Sequence, residues 1–256
     1  MVYPKKGTRR FGLTDAVCQY ELPISQNTAS REEQKLSKKR VTICSAMLIM
    51  IYILYTVFKN FIYDPNSTAF LSHKTNLRDS FYLPVWLGVM YVHVIAACLA
   101  MLSGAVNFSG KRLTSSRKFH RFNGYIYVVC VMIVTLSSGY MAPHSTGGRI
   151  VSIAFNLVNM YWPAATVVSV FQARRKQFDK HRKWMIRSYL FCFTNLFIHL
   201  ITFVCHSGFV LIYEVSYTIG VYGAIVLNVA IAEWVIQKRP HPHATVPSRN
   251  ERMSSF

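Results

Sequence analysis

Residues 179–206, DKHRKWMIRSYLFCFTNLFIHLITFVCH, decide the fold. A charged head holding His181, Arg182 and Lys183 runs into a long apolar segment that still contains Asn195, His199 and His206. Steps of seven from Met185 give Cys192, His199 and His206, and steps of seven from His181 give Ser188 and Asn195. On a helix these are neighbouring rows, so the polar residues share one stripe while Phe, Leu and Ile cover the other faces. Lipid cannot satisfy polar groups, so such a stripe turns toward protein or a water-filled cavity. The segment therefore predicts a membrane-spanning helix packed inside a bundle.

The whole chain carries the same signature. It is 52% hydrophobic, with 17 Phe and 15 Tyr, yet its formal charge is +19. These two facts conflict for a soluble domain but agree for a membrane protein whose charge lies in loops and tails. Apolar runs near 42–60, 83–107, 123–142, 150–171, 184–206 and 216–237 are each long enough to cross a hydrocarbon core of about 30 Å. The expected fold is an all-α polytopic bundle of six spans. Residues 1–40 read as a disordered basic tail, 41–237 as the membrane domain and 238–256 as a second polar tail. The N-terminal segment has no short apolar core followed by a small-residue cleavage site, so the first span is expected to direct insertion itself.

Cations set the expected orientation. Arg31, Lys38, Lys39 and Arg40 precede span one; Lys111, Arg112, Arg117, Lys118 and Arg121 fill the second loop; Arg174, Arg175, Lys176, Lys180, Arg182 and Lys183 fill the fourth. The opposite side shows Lys74, Arg78 and Arg149, with Lys59 at a span end. Both termini are expected to face the cytoplasm. The same cations make contact with anionic lipid a better reading of the basic charge than nucleic acid, for which no motif is present. On this topology the sequon at Asn66 lies outside and can accept a glycan, whereas the sequon at Asn107 lies at the cytoplasmic edge. None of the six cysteines forms a CxxC pair, and buried free thiols are expected rather than a disulfide framework.

Several residues inside the spans invite a function. His93 lies in span two near Ala96, Ala97, Ala100 and Gly104, a run that lets helices approach closely or leaves room for a flat ligand. Lys118-Phe119-His120-Arg121 introduces span three and Lys180-His181-Arg182 introduces span five, either as a degenerate repeat or as two interfacial anchors. Asn156, Asn159 and Pro163 share a face of span four, where Pro163 is expected to kink the helix. Arg187 and Glu233 each lie about one turn inside the membrane, on neighbouring spans, and are expected to form a structural ion pair.

His93, then His120-Arg121 with Gly124 and Tyr127, then His181-Arg182, Trp184-Met185, Arg187-Ser188-Tyr189, and finally Asn228 with Glu233-Trp234 resemble the membrane-protein family called domain of unknown function 2306. The resemblance covers about residues 85–237, and the segment from His181 to Tyr189 is its most specific part. Where this chain has His199, members of that family carry an arginine. The resemblance implies a membrane-bundle architecture and a set of residues to weigh; it implies no activity.

The histidines support one concrete chemistry. A bis-histidine haem needs two imidazoles from different helices at matching depth. His93 lies roughly 15 Å below the outer surface and His199 about 8 Å below it, while His120 and His181 both lie at the cytoplasmic mouth. Two pairs, His93 with His199 and His120 with His181, are thus candidate ligands for haem b in an electron-transfer protein or reductase subunit. The plainer alternatives are solvated interfacial residues for His120 and His181, and hydrogen bonds to Asn195 or Asn159 for His93 and His199. His144 and His206 lie at the outer surface and read as incidental. The chain has no histidine boxes of a di-iron oxidase, no recognised zinc spacing, no nucleophile elbow and no phosphate-binding loop. A small-solute transporter or a non-catalytic membrane subunit would use the same polar stripe, with a small-molecule substrate in place of a redox partner.

Overall fold

The computed structural model describes residues 43–68, 82–109 and 116–238, with Leu36, Ser37, Arg40 and Ser72 besides. Most of the expected tails, residues 1–40 and 238–256, lies outside the described residues, as do Cys18, Lys111 and Arg112. The chain divides into two compact units, Met1–Ile51 and Tyr52–Phe256. The packing described below belongs to the second.

Every described element is helical. Six helices are long and apolar enough to cross a membrane: α1 Ile43–Tyr63, α2 Leu83–Phe108, α3 Arg117–His144, α4 Gly148–Arg174, α5 Phe178–Gly208 and α6 Tyr213–Gln237. The chain is a multi-pass membrane protein. Helices α3 and α5 begin several residues before the apolar runs because their charged first turns extend the helix out of the hydrocarbon. Ser116 supports the start of α3, accepting a hydrogen bond from the Lys118 amide at 3.2 Å. The α3–α4 connection is tight and turns on Gly147 at φ +85°, where an added Cβ would also strike Val151 and Thr218. Helix α4 runs on past Pro163 without interruption.

Two apolar clusters hold the helices. Ala96 and Ala100 of α2 pack with Tyr127, Cys130, Val131 and Val134 of α3, with Trp162 of α4, and with Met185 and Phe191 of α5. The second cluster joins Val151 and Ala154 of α4 to Ile198 of α5 and to Tyr217, Val221 and Ala224 of α6. Helix α5 takes part in both because it changes geometry halfway. Its α-helical first part ends at Leu190, Phe191–Phe193 form a 3-10 turn, and the α-helix resumes at Thr194. A 3-10 turn advances about 120° per residue where an α-helix advances about 100°, so three residues rotate everything downstream by roughly 60°.

That rotation splits the polar stripe. His181 and Ser188 face α4, where Ser188 Oγ lies 2.6 Å from Thr166 Oγ1. Asn195 lies exposed and donates from Nδ2 to the Tyr52 hydroxyl at 3.4 Å. His199 is likewise exposed. The single inward row read along 179–206 is therefore two rows on different faces.

Candidate functional site

The bundle end that carries the turn at 175–177 is its basic end. There the first turns of α3 and α5 place His120 and His181 within electrostatic range of each other. His120 is exposed and His181 half-buried. The His181 ring is clamped by Ser169 of α4: Nδ1 lies 2.8 Å from the Ser169 carbonyl oxygen and 2.9 Å from its hydroxyl. Ser169 is fully buried. A carbonyl can only accept, so the clamp puts a proton on Nδ1 and leaves Nε2 outside it. Nothing in the linear pattern singled out Ser169. It shares a face of α4 with Trp162 and Thr166 at helical spacing, but small hydroxyl residues are common in apolar helices.

About two turns deeper lies a second polar group. The Ser188 hydroxyl sits between Tyr127 Oη at 2.8 Å and Thr166 Oγ1 at 2.6 Å, and Thr166 also donates to the Trp162 carbonyl at 2.9 Å. Tyr127, Thr166 and Ser188 are all fully buried. Three helices are thus joined by hydroxyls that would otherwise be stranded in an apolar interior. At the α5 interruption Asn228 of α6 donates from Nδ2 to Thr194 Oγ1 at 2.9 Å, and Thr194 donates in turn to the Phe191 carbonyl at 2.7 Å. Asn228 is fully buried, and its Oδ1 has no hydrogen-bond partner among the described residues.

The other two candidate ligands turn to different helices. His93 of α2 faces α3, with Nδ1 3.0 Å from Ser137 Oγ. Its partner is thus Ser137, neither Asn159 nor Asn195. His199 lies toward Lys59 at the end of α1. Ala96 and Ala100, which sequence left open as room for a flat ligand, are filled by contact with α3. Gly104 is filled as well, because the Tyr189 ring occupies the space where a Cβ would stand. His206 bonds the Leu211 carbonyl at 2.8 Å in the connection to α6.

Helices α5 and α6 also meet through charge. Arg187 Nε donates to Glu233 Oε1 at 2.7 Å and Nη2 donates to Oε2 at 3.2 Å. The guanidinium carbon stands 4.9 Å from the centre of the Trp184 ring. Asn66 is exposed in the turn after α1. Asn107 is engaged, its Oδ1 accepting from Asn123 Nδ2 at 3.0 Å. The five described cysteines are free thiols, and among the described residues no three His, Cys, Asp or Glu side chains converge to hold a metal ion.

No curated protein and no solved structure matches the chain. A family model described as a predicted membrane protein (DUF2306) matches residues 90–236, which takes in α3 to α6 and most of α2 and holds every histidine, hydroxyl and charge pair of the bundle interior described above. The chain belongs to the DUF2306 family of membrane proteins.

Proposed function

We propose that the protein is a transmembrane electron carrier holding one b-type haem between His120 and His181 at the basic end of the bundle. The observation that carries this reading is the Ser169 clamp at 2.8 Å on His181 Nδ1. Imidazoles that bind metals commonly donate their other N–H to a carbonyl or carboxylate, which fixes the tautomer, orients the ring and raises its basicity. The donor set suits iron porphyrin. Two imidazoles come from different helices and no third protein ligand joins them among the described residues. A zinc site needs at least three protein ligands, whereas a macrocycle brings the remaining donors itself. Bound haem supplies reversible one-electron transfer. Ser169 holds the proton on Nδ1, and Arg121 and Arg182, next in sequence to the two histidines, are the cations available to propionate groups.

His93 and His199 are a second candidate pair for haem b, with support on one side only. His93 has an anchor in Ser137, while His199 is exposed beside Lys59. The reading is tested by the absorption spectrum of protein purified from haem-replete cells, oxidised and then dithionite-reduced. A low-spin spectrum lost in His120→Ala and His181→Ala and kept in His93→Ala is expected. A folded preparation without a Soret band would end the proposal.

One observation favours a different reading. Spans broken near mid-membrane, with polar groups at the break, are how many transporters build a solute site. Helix α5 tightens to a 3-10 turn at 191–193 beside Asn228, whose Oδ1 has no partner among the described residues. Under this reading Asn228→Leu abolishes solute uptake by proteoliposomes, whereas under the haem reading it leaves the spectrum unchanged.

A further inference from the structure

The Arg187–Glu233 pair does not complete the chemistry of its own guanidinium. Arginine carries five N–H donors in a rigid fork. Glu233 takes Nε and one position on Nη2, and the donors left on Nη1 and Nη2 have no protein acceptor among the described residues. The pair is also not fully covered: its side chains are 23% and 40% exposed. Glu233 stands one turn, about 6 Å, inside the end of α6 at Gln237, and Arg187 meets it nine residues, about 14 Å, along α5, one turn beyond Lys183. Hydrocarbon offers those donors no acceptor at that depth, but a phospholipid phosphate does.

The surroundings match that acceptor. Lys183 is close enough to act on Glu233 electrostatically, and Lys238 closes the C-terminal end of α6. Arg187 and Lys183 thus act on one carboxylate while Lys238 lies against Trp234 at the same helix end, so that end keeps a positive balance after the ion pair is counted. Trp184 lies against the guanidinium, and Trp234, 57% exposed, carries the Lys238 ammonium 4.0 Å from its ring centre. Two indoles flanking a set of cations at a helix end fit the zone between acyl chain and headgroup, where the ring body is apolar and its edge is polar.

We infer that Lys183, Arg187 and Lys238 form a seat for the phosphate of an anionic phospholipid, with Trp184 and Trp234 against its glycerol and upper acyl region. Glu233 fixes the guanidinium plane so that its free edge faces the lipid. The site lies in whichever leaflet the turn at 175–177 borders, and it does not depend on a haem.

The experiment uses the full-length protein in nanodiscs of phosphatidylcholine with a minor fraction of phosphatidylglycerol, and counts co-retained lipid by native mass spectrometry. The wild-type protein is expected to retain phosphatidylglycerol over phosphatidylcholine. Lys183→Gln/Lys238→Gln, which leaves the ion pair in place, is expected to lose that preference several-fold. Arg187→Gln/Glu233→Gln, which leaves no stranded charge, is expected to lose it as well. Equal retention in all three proteins, or no preference in the wild type, would overturn the inference. So would inorganic phosphate added to pure phosphatidylcholine discs, if it raised the melting temperature as much as phosphatidylglycerol does, because the ligand would then be a free anion.

Discussion

Arg187 Nε donates to Glu233 Oε1 at 2.7 Å, tying the first α-helical part of α5 to the last turns of α6. A lone charge at the centre of a membrane helix costs about 2.5–3.5 kcal/mol on insertion scales, and less near its end. Removing one partner strands the other. Arg187→Gln and Glu233→Gln are each expected to lower stability by about 1–3 kcal/mol, and the double variant by less than either single one. Thermal unfolding in detergent of the four proteins measures the cycle. Additive losses would show that the pair contributes nothing as a unit.

Close helix approach is expected to be as decisive between α5 and α6. A Cβ on Gly220 would run into the Thr202 hydroxyl and stand 2.9 Å from the Ile198 carbonyl oxygen. The side chain can turn aside but the backbone cannot, so Gly220→Ala is expected to cost about 1–3 kcal/mol by overpacking. Gly88 has nothing within 4 Å of its missing Cβ. Gly88→Ala should be neutral or should stabilise by up to about 1 kcal/mol, since glycine is a poor residue in a helix interior. Melting temperatures of the two variants moving together would contradict this packing.

Glycan mapping in a eukaryotic membrane system tests the topology. Asn66 is exposed in a turn and is expected to be modified when its side faces the lumen. Asn107 stands at the opposite end of α2 and accepts a hydrogen bond from Asn123, so it is expected to stay bare. A glycan on Asn107 would reverse the orientation expected from the loop cations.

The hydroxyl group around Ser188 makes a contrast between two substitutions. Tyr127→Phe removes one donor and leaves the Ser188–Thr166 bond at 2.6 Å in place, so a loss of about 1 kcal/mol is expected. Ser188→Ala removes the hydroxyl shared by Tyr127 and Thr166 and leaves the buried Tyr127 Oη with the weak Cys192 Sγ contact at 3.9 Å, for about 2–3 kcal/mol. Unfolding midpoints in detergent rank the two. The reverse order would place the centre of the group elsewhere.

The sequence by itself determined the helical class and the six spans. Hydrophobic run length and loop charge are properties of the chain read one segment at a time, and lipid enforces them locally. Tertiary structure alone decided which way the polar residues of the spans turn. The seven-residue rows through His181 and His199 assume a constant helical pitch, and the 3-10 turn at Phe191–Phe193 breaks that assumption, sending His181 to Ser169 and leaving His199 on an exposed face. The same holds for Ala96, Ala100 and Gly104. A run of small residues says that something comes close, but whether it is a ligand or a neighbouring helix depends on what the rest of the chain brings there, which here is α3 and the ring of Tyr189.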